Sequence, residues 1–205
     1  MKVLKINSSL YSQGGQSSLL AEQFVDALRD REAALQLVER DLAREPVPHL
    51  DAARFQALLA KPEERTAEQR AIAEYSDALI GELREADVVV LGLPMYNFGV
   101  PSQLKAYFDH VARAGVTFRY TEKGPVGLLA GKKAYVFATR GGAYAGTARD
   151  TQSAYVRDFL AFLGIADVEF VYAESLAMGP APREAALAQA RAAIQNLAPP
   201  ARLAA

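Results

Sequence analysis

The 205-residue chain contains no cysteine. That absence excludes a disulfide scaffold, a thiolate metal site, an iron–sulfur cluster and a thiol nucleophile, and it fits a reducing cytoplasm, the compartment expected here. Net charge is also scarce. Lys and Arg number 23 against 24 acidic residues, a formal charge of −1, so no global field draws the chain to nucleic acid or to an anionic membrane. No run approaches the ~18 apolar residues of a membrane-spanning helix. Met1–Ile6 also lacks the long apolar core of a signal peptide. Histidine is confined to His49 and His110. Neither has ligand spacing or a nearby serine elbow, both read as surface or interface residues, and no metal cluster is visible. Glu63-Glu64 reads as solvated surface, and Lys132-Lys133 is too small a basic patch for nucleic acid. What is present is the balance of an ordinary soluble globule, 51% hydrophobic and 23% charged. One domain over residues 1–205 is expected. The Ala-rich end from Ala198, with Pro199 and Pro200, reads as a frayed tail.

Five segments read as strands. Lys2–Ile6 is short, apolar and β-branched; Leu35–Val38 opens a second that ends at Asp41. Asp87–Leu93 is nearly continuous and apolar, with Val88, Val89 and Val90 in a row. Ala134–Thr139 is a fourth, and Val168–Tyr172 a weaker fifth interrupted by Glu169. Continuous apolar runs belong to strands covered on both faces, the habit of parallel sheets. Helical patterns fill the gaps. Ser17–Arg29 places Leu20, Phe24, Ala27 and Leu28 on one face. A helix fits around Leu50–Leu59, and another over Thr66–Leu83, opened by a Thr66/Gln69 capping box. That longer helix is striped by Ile72, Tyr75, Leu79, Ile80 and Leu83. Leu104, Tyr107, Phe108 and Val111 form a further stripe. So do Tyr155, Phe159, Phe162 and Leu163, stopped by Gly164, and Ala185–Leu197 closes the chain. The alternation predicts an α/β doubly wound five-stranded parallel sheet, order 2-1-3-4-5, with helices on both faces. Two features exceed the minimum. About 45 residues separate the second and third strands, where a crossover needs roughly a dozen. Val116–Leu129, with Gly124-Pro125 and Gly127, is predicted as an excursion over the sheet's edge or mouth, outside the core.

Three loops carry chemistry. After the first strand, Asn7–Ser18 has hydroxyls, amides and two glycines but no charge, and runs into a helix. Such a segment can cradle a phosphate with backbone N–H groups, Ser hydroxyls and a helix N-terminus. It has neither the Gly-Lys-Ser/Thr of a Walker loop nor a Gly-x-Gly-x-x-Gly fingerprint, and a neutral cup suits one terminal phosphate. After the third strand, Leu93–Pro101 offers Met95, Tyr96, Asn97 and Phe98: stacking faces and in-plane hydrogen bonds for a planar heteroaromatic ring. After the fourth, Thr139-Arg140-Gly141-Gly142-Ala143-Tyr144 lets backbone N–H groups approach a ligand edge. Each loop alone is also an ordinary turn. Together they share the carboxyl end of one sheet, where open α/β folds bind ligands at the switch point between strands one and three.

Taken with Ala112–Glu122 and Gly164–Val168, the segments Pro94–Phe98 and Arg140-Gly141-Gly142 resemble the FMN-dependent NADH-azoreductases, also described as FMN-dependent NADH:quinone oxidoreductases, of the flavodoxin-like superfamily. The resemblance covers essentially the whole chain. It implies non-covalent FMN, its phosphate held by Ser9, Gly15, Gln16 and Ser17. Pro94, Met95, Tyr96, Asn97 and Phe98 would lie against the isoalloxazine. Thr139, Arg140, Gly141, Gly142 and Tyr144 would line its pyrimidine edge. The family commonly has serine where this chain has Gly15 and Thr139. Gly15 lacks the serine hydroxyl but keeps the backbone donor, which implies similar or weaker FMN affinity, and Thr139 retains its hydroxyl.

The resemblance further implies a homodimer with FMN sites at the interface. Phe118 and Tyr120 would border the acceptor pocket, and Phe162 would reach it from a partner chain. The implied reaction is ping-pong transfer of two electrons from NADH, or NADPH, to a quinone or azo acceptor, with no committed catalytic side chain. Two other classes compete: a flavodoxin-type electron carrier without its own NADH oxidation, and an FMN-free α/β module. A net charge of −1 and the long insertion favour the enzyme over an acidic carrier.

Overall fold

The computed structural model describes residues 1–197; the expected frayed end from Ala198 lies outside them. In chain order the elements are β1 (Lys2–Asn7), α1 (Gln16–Arg29), β2 (Gln36–Asp41), α2 (Ala52–Leu59), α3 (Ala67–Glu85), β3 (Val88–Pro94), α4 (Ser102–Val111), β4 (Phe118–Thr121), β5 (Gly124–Gly127), β6 (Lys133–Thr139), α5 (Ser153–Leu163), β7 (Asp167–Ala173) and α6 (Pro180–Leu197). The main sheet is parallel with order β2-β1-β3-β6-β7. Among its five strands alone, that is the expected 2-1-3-4-5. The two extra labels belong to an antiparallel hairpin, β4–β5.

The sheet is covered on both sides because alternate residues of its inner strands are apolar on both faces. Leu4, Ile6, Val89, Leu91, Leu93, Ala134 and Val136 meet α3, α4 and α5. Val3, Val90, Tyr135, Phe137, Val171 and Ala173 meet α1 and α6. Thr66 and Gln69 form the expected reciprocal capping box at the start of α3. Gly164, at φ 103°, ends α5.

Four readings of the sequence need correction. The second strand is not buried: it lies at the sheet edge, with Gln36, Val38 and Glu39 exposed. The buried face of α3 is Ala73, Ser76, Leu79, Ile80 and Leu83, and Tyr75 is exposed. Val116–Leu129 is not wholly outside the core. Phe118 and Leu129 are buried, and Phe118 packs on Phe162 with ring centroids 4.2 Å apart. His110 is not a surface residue. It is fully buried, its Nε2–H donates to Pro48 O at 3.0 Å, and burial holds its pKa below the ordinary value. His49 is exposed, as expected. The apolar look of the first strand also conceals Lys5, which is buried between Glu22 of α1 and Glu39 of β2 and ion-paired to both.

Candidate active site

Because β1, β3 and β6 are parallel neighbours, the three loops leave the sheet side by side at its carboxyl edge. They are joined to one another. Ser8 donates to Gly92 O through its hydroxyl at 2.7 Å and its N–H at 3.3 Å. The Tyr96 hydroxyl lies 3.4 Å from Ser9 Oγ and accepts from Leu10 N–H at 3.2 Å. Met95 N–H donates to Thr139 O at 3.0 Å. The rings of Phe98 and Tyr144 meet edge to face, with centroids 5.5 Å apart. Tyr96, expected as a stacking face, also links the second loop to the first through its hydroxyl.

The first loop curls through a 3-10 turn, Ser12–Gly14, and becomes α1 with Gly15 as an N-cap that offers no side chain. The N–H groups of Gln16, Ser17 and Ser18 have no partner among the described residues. They are the free donors that every helix start presents, here left without a cap. Ser17 and Ser18 are buried, and the hydroxyl of each lacks a hydrogen bond. Buried polar groups without partners are uncommon, and a cluster of three donors and two hydroxyls has the chemistry of an anion cup. The closeness of α1 to β3 builds it: a Cβ on Gly92 would lie 3.2 Å from the Ser17 carbonyl carbon and oxygen. Gly15 is matched to Ser9. A Cβ at position 15 would come within 2.6 Å of Ser9 Cβ, so the bare glycine and this placement of Ser9 occur together.

The second loop is a tight turn. Tyr96 N–H donates to Gly99 O at 3.2 Å and Gly99 N–H to Tyr96 O at 2.9 Å. Between them Asn97 and Phe98 both have positive φ, 50° and 63°. Asn tolerates this left-handed region; for Phe it is an outlier, and such strain concentrates at ligand clamps. The side chains of both residues are exposed.

In the third loop the carbonyls are tied down and the amides are not. Leu176, Ala177 and Ser175 donate their N–H groups to the carbonyls of Arg140, Gly141 and Gly142 respectively, while the N–H groups of Gly141 and Gly142 have no partner among the described residues. The Arg140 side chain does not face a ligand. It is fully buried, bonds Asp150 at 2.7 Å and Glu174 at 3.2 Å, and lies over the Tyr172 ring at 5.1 Å. Burial opposes the charge of Asp150, but hydrogen bonds from Arg140 and Ser153 outweigh it, so the carboxyl titrates below its ordinary value. Glu174 also accepts from Tyr144 N–H at 2.8 Å and Ala145 N–H at 2.9 Å, which fixes the bend of the loop.

Of the three residues expected beside an acceptor, Phe118 and Phe162 are packed on each other within one chain, and Tyr120 is exposed. Sequence reasoning missed Asp150, Thr151, Gln152 and Glu174, which hold the two ring-side loops. Nothing local marks them: the loop partner of Asp150 lies 10 residues away, and those of Thr151, Gln152 and Glu174 lie 29 to 58 residues away.

A sheet of this order with its crevice at the β1/β3 switch point defines a flavodoxin-like protein, and residues 1–198 match a family model described as Flavodoxin-like fold. An FMN-dependent NADH:quinone oxidoreductase of Cellvibrio japonicus is 54% identical over 194 residues, 95% of this chain and 96% of that one. FMN-dependent NADH:quinone oxidoreductase 6 of Burkholderia lata is 54% identical over 192 residues, 94% and 97% of the two chains. Among solved structures, an FMN-dependent NADH-azoreductase from Bacillus anthracis in complex with FMN superposes with TM-score 0.85 at 27% identity, covering 97% of this chain and 99% of that one. Azoreductase AzrA gives TM-score 0.87 at 28% identity, with coverage of 97% and 99%. The chain belongs to the flavodoxin-like family of FMN-dependent NADH:quinone oxidoreductases.

Proposed function

We propose that this oxidoreductase holds FMN non-covalently in the crevice between β1 and β3 and passes two electrons from NAD(P)H, NADH preferred, to quinones and azo compounds in ping-pong order. The observation that carries the reading is the set of unsatisfied donors around one crevice: the amides of Gln16–Ser18 with the Ser17 hydroxyl, and the amides of Gly141 and Gly142. These fit a phosphate at one end and the oxygen-bearing edge of a flavin at the other. When bound, FMN supplies the reversible uptake of an electron pair as hydride.

The chain's own residues bind and orient. Ser9, Gly15, Gln16 and Ser17 hold the phosphate. Pro94–Phe98 faces the ring, with the Asn97 amide reading its polar edge. The Gly141 and Gly142 amides stabilise negative charge at the pyrimidine edge, and Thr139 and Tyr144 flank them. The names of the relatives support quinone acceptors and NADH, and the azoreductase structures support azo acceptors. A homodimer with sites at the interface completes the proposal; the exposed apolar side chains of the hairpin, Tyr120 and Val126, support a partner chain there.

The decisive experiment is the absorption spectrum of the purified protein before and after anaerobic NADH, followed by NADH oxidation with a quinone and no added reductase. A yellow protein that is not bleached by NADH or NADPH is a carrier, and a colourless one that takes up no FMN is neither. Two variants test the placement. Asn97→Ala is expected to weaken flavin binding or slow its reduction by about 1–3 kcal/mol, because polar atoms of the ring lose a partner. Wild-type affinity and turnover in that variant would mean that the turn does not meet the ring. Ser17→Ala is expected to weaken FMN by about 1.5–3 kcal/mol, the value of a hydrogen bond to a charged group, and to leave riboflavin nearly unaffected. Equal losses for the two ligands contradict the phosphate assignment.

A further inference from the structure

We propose that Gln152 is a positioning residue of the site: its side-chain amide holds the strained Tyr96–Gly99 turn in the orientation from which that turn meets the flavin ring. The inference rests on the reading of the crevice as a flavin site.

Gln152 stands immediately before α5, where a polar side chain would ordinarily cap the helix or meet water. It does neither, being fully buried with no capping hydrogen bond. Its Nε2 donates instead to Pro94 O at 2.9 Å and to Gly99 O at 2.7 Å. Both partners are carbonyls, which only accept, so the orientation of the amide is dictated by chemistry. Its Oε1 has no partner among the described residues. Both hydrogen bonds of this side chain among the described residues are therefore made with one loop.

The two carbonyls bracket the whole ring-facing segment. Pro94 is the last residue of β3, and Gly99 O is the atom that also receives Tyr96 N–H to close the turn. A single nitrogen thus staples both ends of Met95–Phe98. The residue before it adds a third tie, since the Thr151 hydroxyl donates to Phe98 O. This support matters because Asn97 and Phe98 sit at φ 50° and 63°, a region that L residues leave unless surrounding bonds hold them there. One residue further back, Asp150 accepts from Arg140 at 2.7 Å and from Ser153 N–H at 3.0 Å. Three consecutive residues thus connect the strained turn to the glycine loop, and Gln152 provides the turn's share.

Gln152→Met keeps the length and approximate volume of the side chain and removes both donors. In the flavin-free protein, the amide hydrogens of Tyr96 and Gly99 are expected to exchange roughly tenfold faster, the effect of losing two net hydrogen bonds on a local opening, while those of β1 are unchanged. Affinities for FMN and riboflavin are expected to fall by the same factor, because the disturbed contact is to the ring and not to the phosphate. The visible bands of the bound flavin are expected to shift. Unchanged exchange at Tyr96 and Gly99, unchanged bands with wild-type affinity, or a loss confined to FMN each overturns the proposal. If Gln152→Met does not fold, Thr151→Val, at an exposed position and lacking one hydroxyl, carries the same three measurements with a smaller expected effect, and no change in any of them overturns it. A wild-type protein that binds no flavin defeats the reading of the crevice; the exchange measurement, made without flavin, still decides whether Gln152 holds the turn.

Discussion

Replacing Arg140 by methionine is expected to lower unfolding free energy by about 3–5 kcal/mol, the effect of removing one partner from a buried ionic cluster. The guanidinium is wholly buried, while the side chains of Asp150 and Glu174 are only 9% and 18% exposed. Methionine fills the space but leaves two carboxylates with little water and no counter-charge. Arg140→Lys is expected to fall between the two, because an ammonium keeps the charge and loses the fork that reaches both acids and Ser153. The pH dependence gives a second signature. In the wild type, Asp150 titrates below its ordinary value, so its ionised form adds stability at neutral pH. That contribution is lost as pH falls through the depressed folded value. Without Arg140, burial remains and a hydrogen bond to the charged form is gone, so the folded value moves up. The variant's carboxyl then protonates at a higher pH, and the stability gap narrows on acidification. Urea unfolding at pH 7 and again near the carboxylate range measures both effects. A gap below about 1 kcal/mol, or one that widens in acid, rejects the cluster as the support of the glycine loop.

That cluster also shows which parts of the molecule were legible in the sequence. Strands β3 and β6 announce themselves because both faces of each are covered, so most of their residues are apolar, and β1 is legible from Val3, Leu4 and Ile6 despite Lys2, Lys5 and Asn7. The edge strand β2 is legible as a strand but not as an edge, although Gln36, Val38 and Glu39 are exposed to solvent. The hairpin was seen only as an excursion: Phe118 is buried by Phe162, a residue that arrives 44 positions later in the chain. The three loops were legible because each lies directly after a strand and carries its own unusual composition. Their supports were not. Glu174 acts on Arg140 across 34 residues, Gln152 on Pro94 across 58, and Tyr96 on Ser9 across 87. In each case the partner is a backbone atom or a single polar group that only the fold brings near. Arg140 illustrates the limit best. It sits inside a recognisable loop motif, yet its side chain serves the loop from behind while the neighbouring glycines present the donors.

Gly92→Val is expected to abolish retention of FMN through purification, more completely than any single hydroxyl change in the cup. Gly92 lies inside β3, paired with Asn7 on one side and Phe137 on the other, so its backbone is ordinary strand. What requires glycine there is the helix above it. A Cβ would lie 3.2 Å from the Ser17 carbonyl carbon and oxygen and 3.4 Å from Ser18 N, tight for a methyl group, and the two γ carbons of valine extend further toward the same backbone. Overpacking of this kind costs about 1–3 kcal/mol of stability, which a core of this size can absorb. The larger consequence is geometric. To make room, the first turn of α1 must lift off the strand, carrying with it the amides of Gln16, Ser17 and Ser18. Gly92 O also anchors Ser8 at 2.7 Å, so the start of the loop moves too. Losing even two hydrogen bonds to a phosphate amounts to about 3–6 kcal/mol. Gly92→Ala asks for a shift of only a few tenths of an ångström and is expected to fall between the two. Calorimetric titration of both variants with FMN and with riboflavin separates the cases, because displacement of the helix start removes phosphate contacts and leaves those made by the Tyr96–Gly99 turn. Wild-type FMN affinity in a folded Gly92→Val protein would mean that the phosphate does not sit at the start of α1, and the assignment of Ser17 would fall with it.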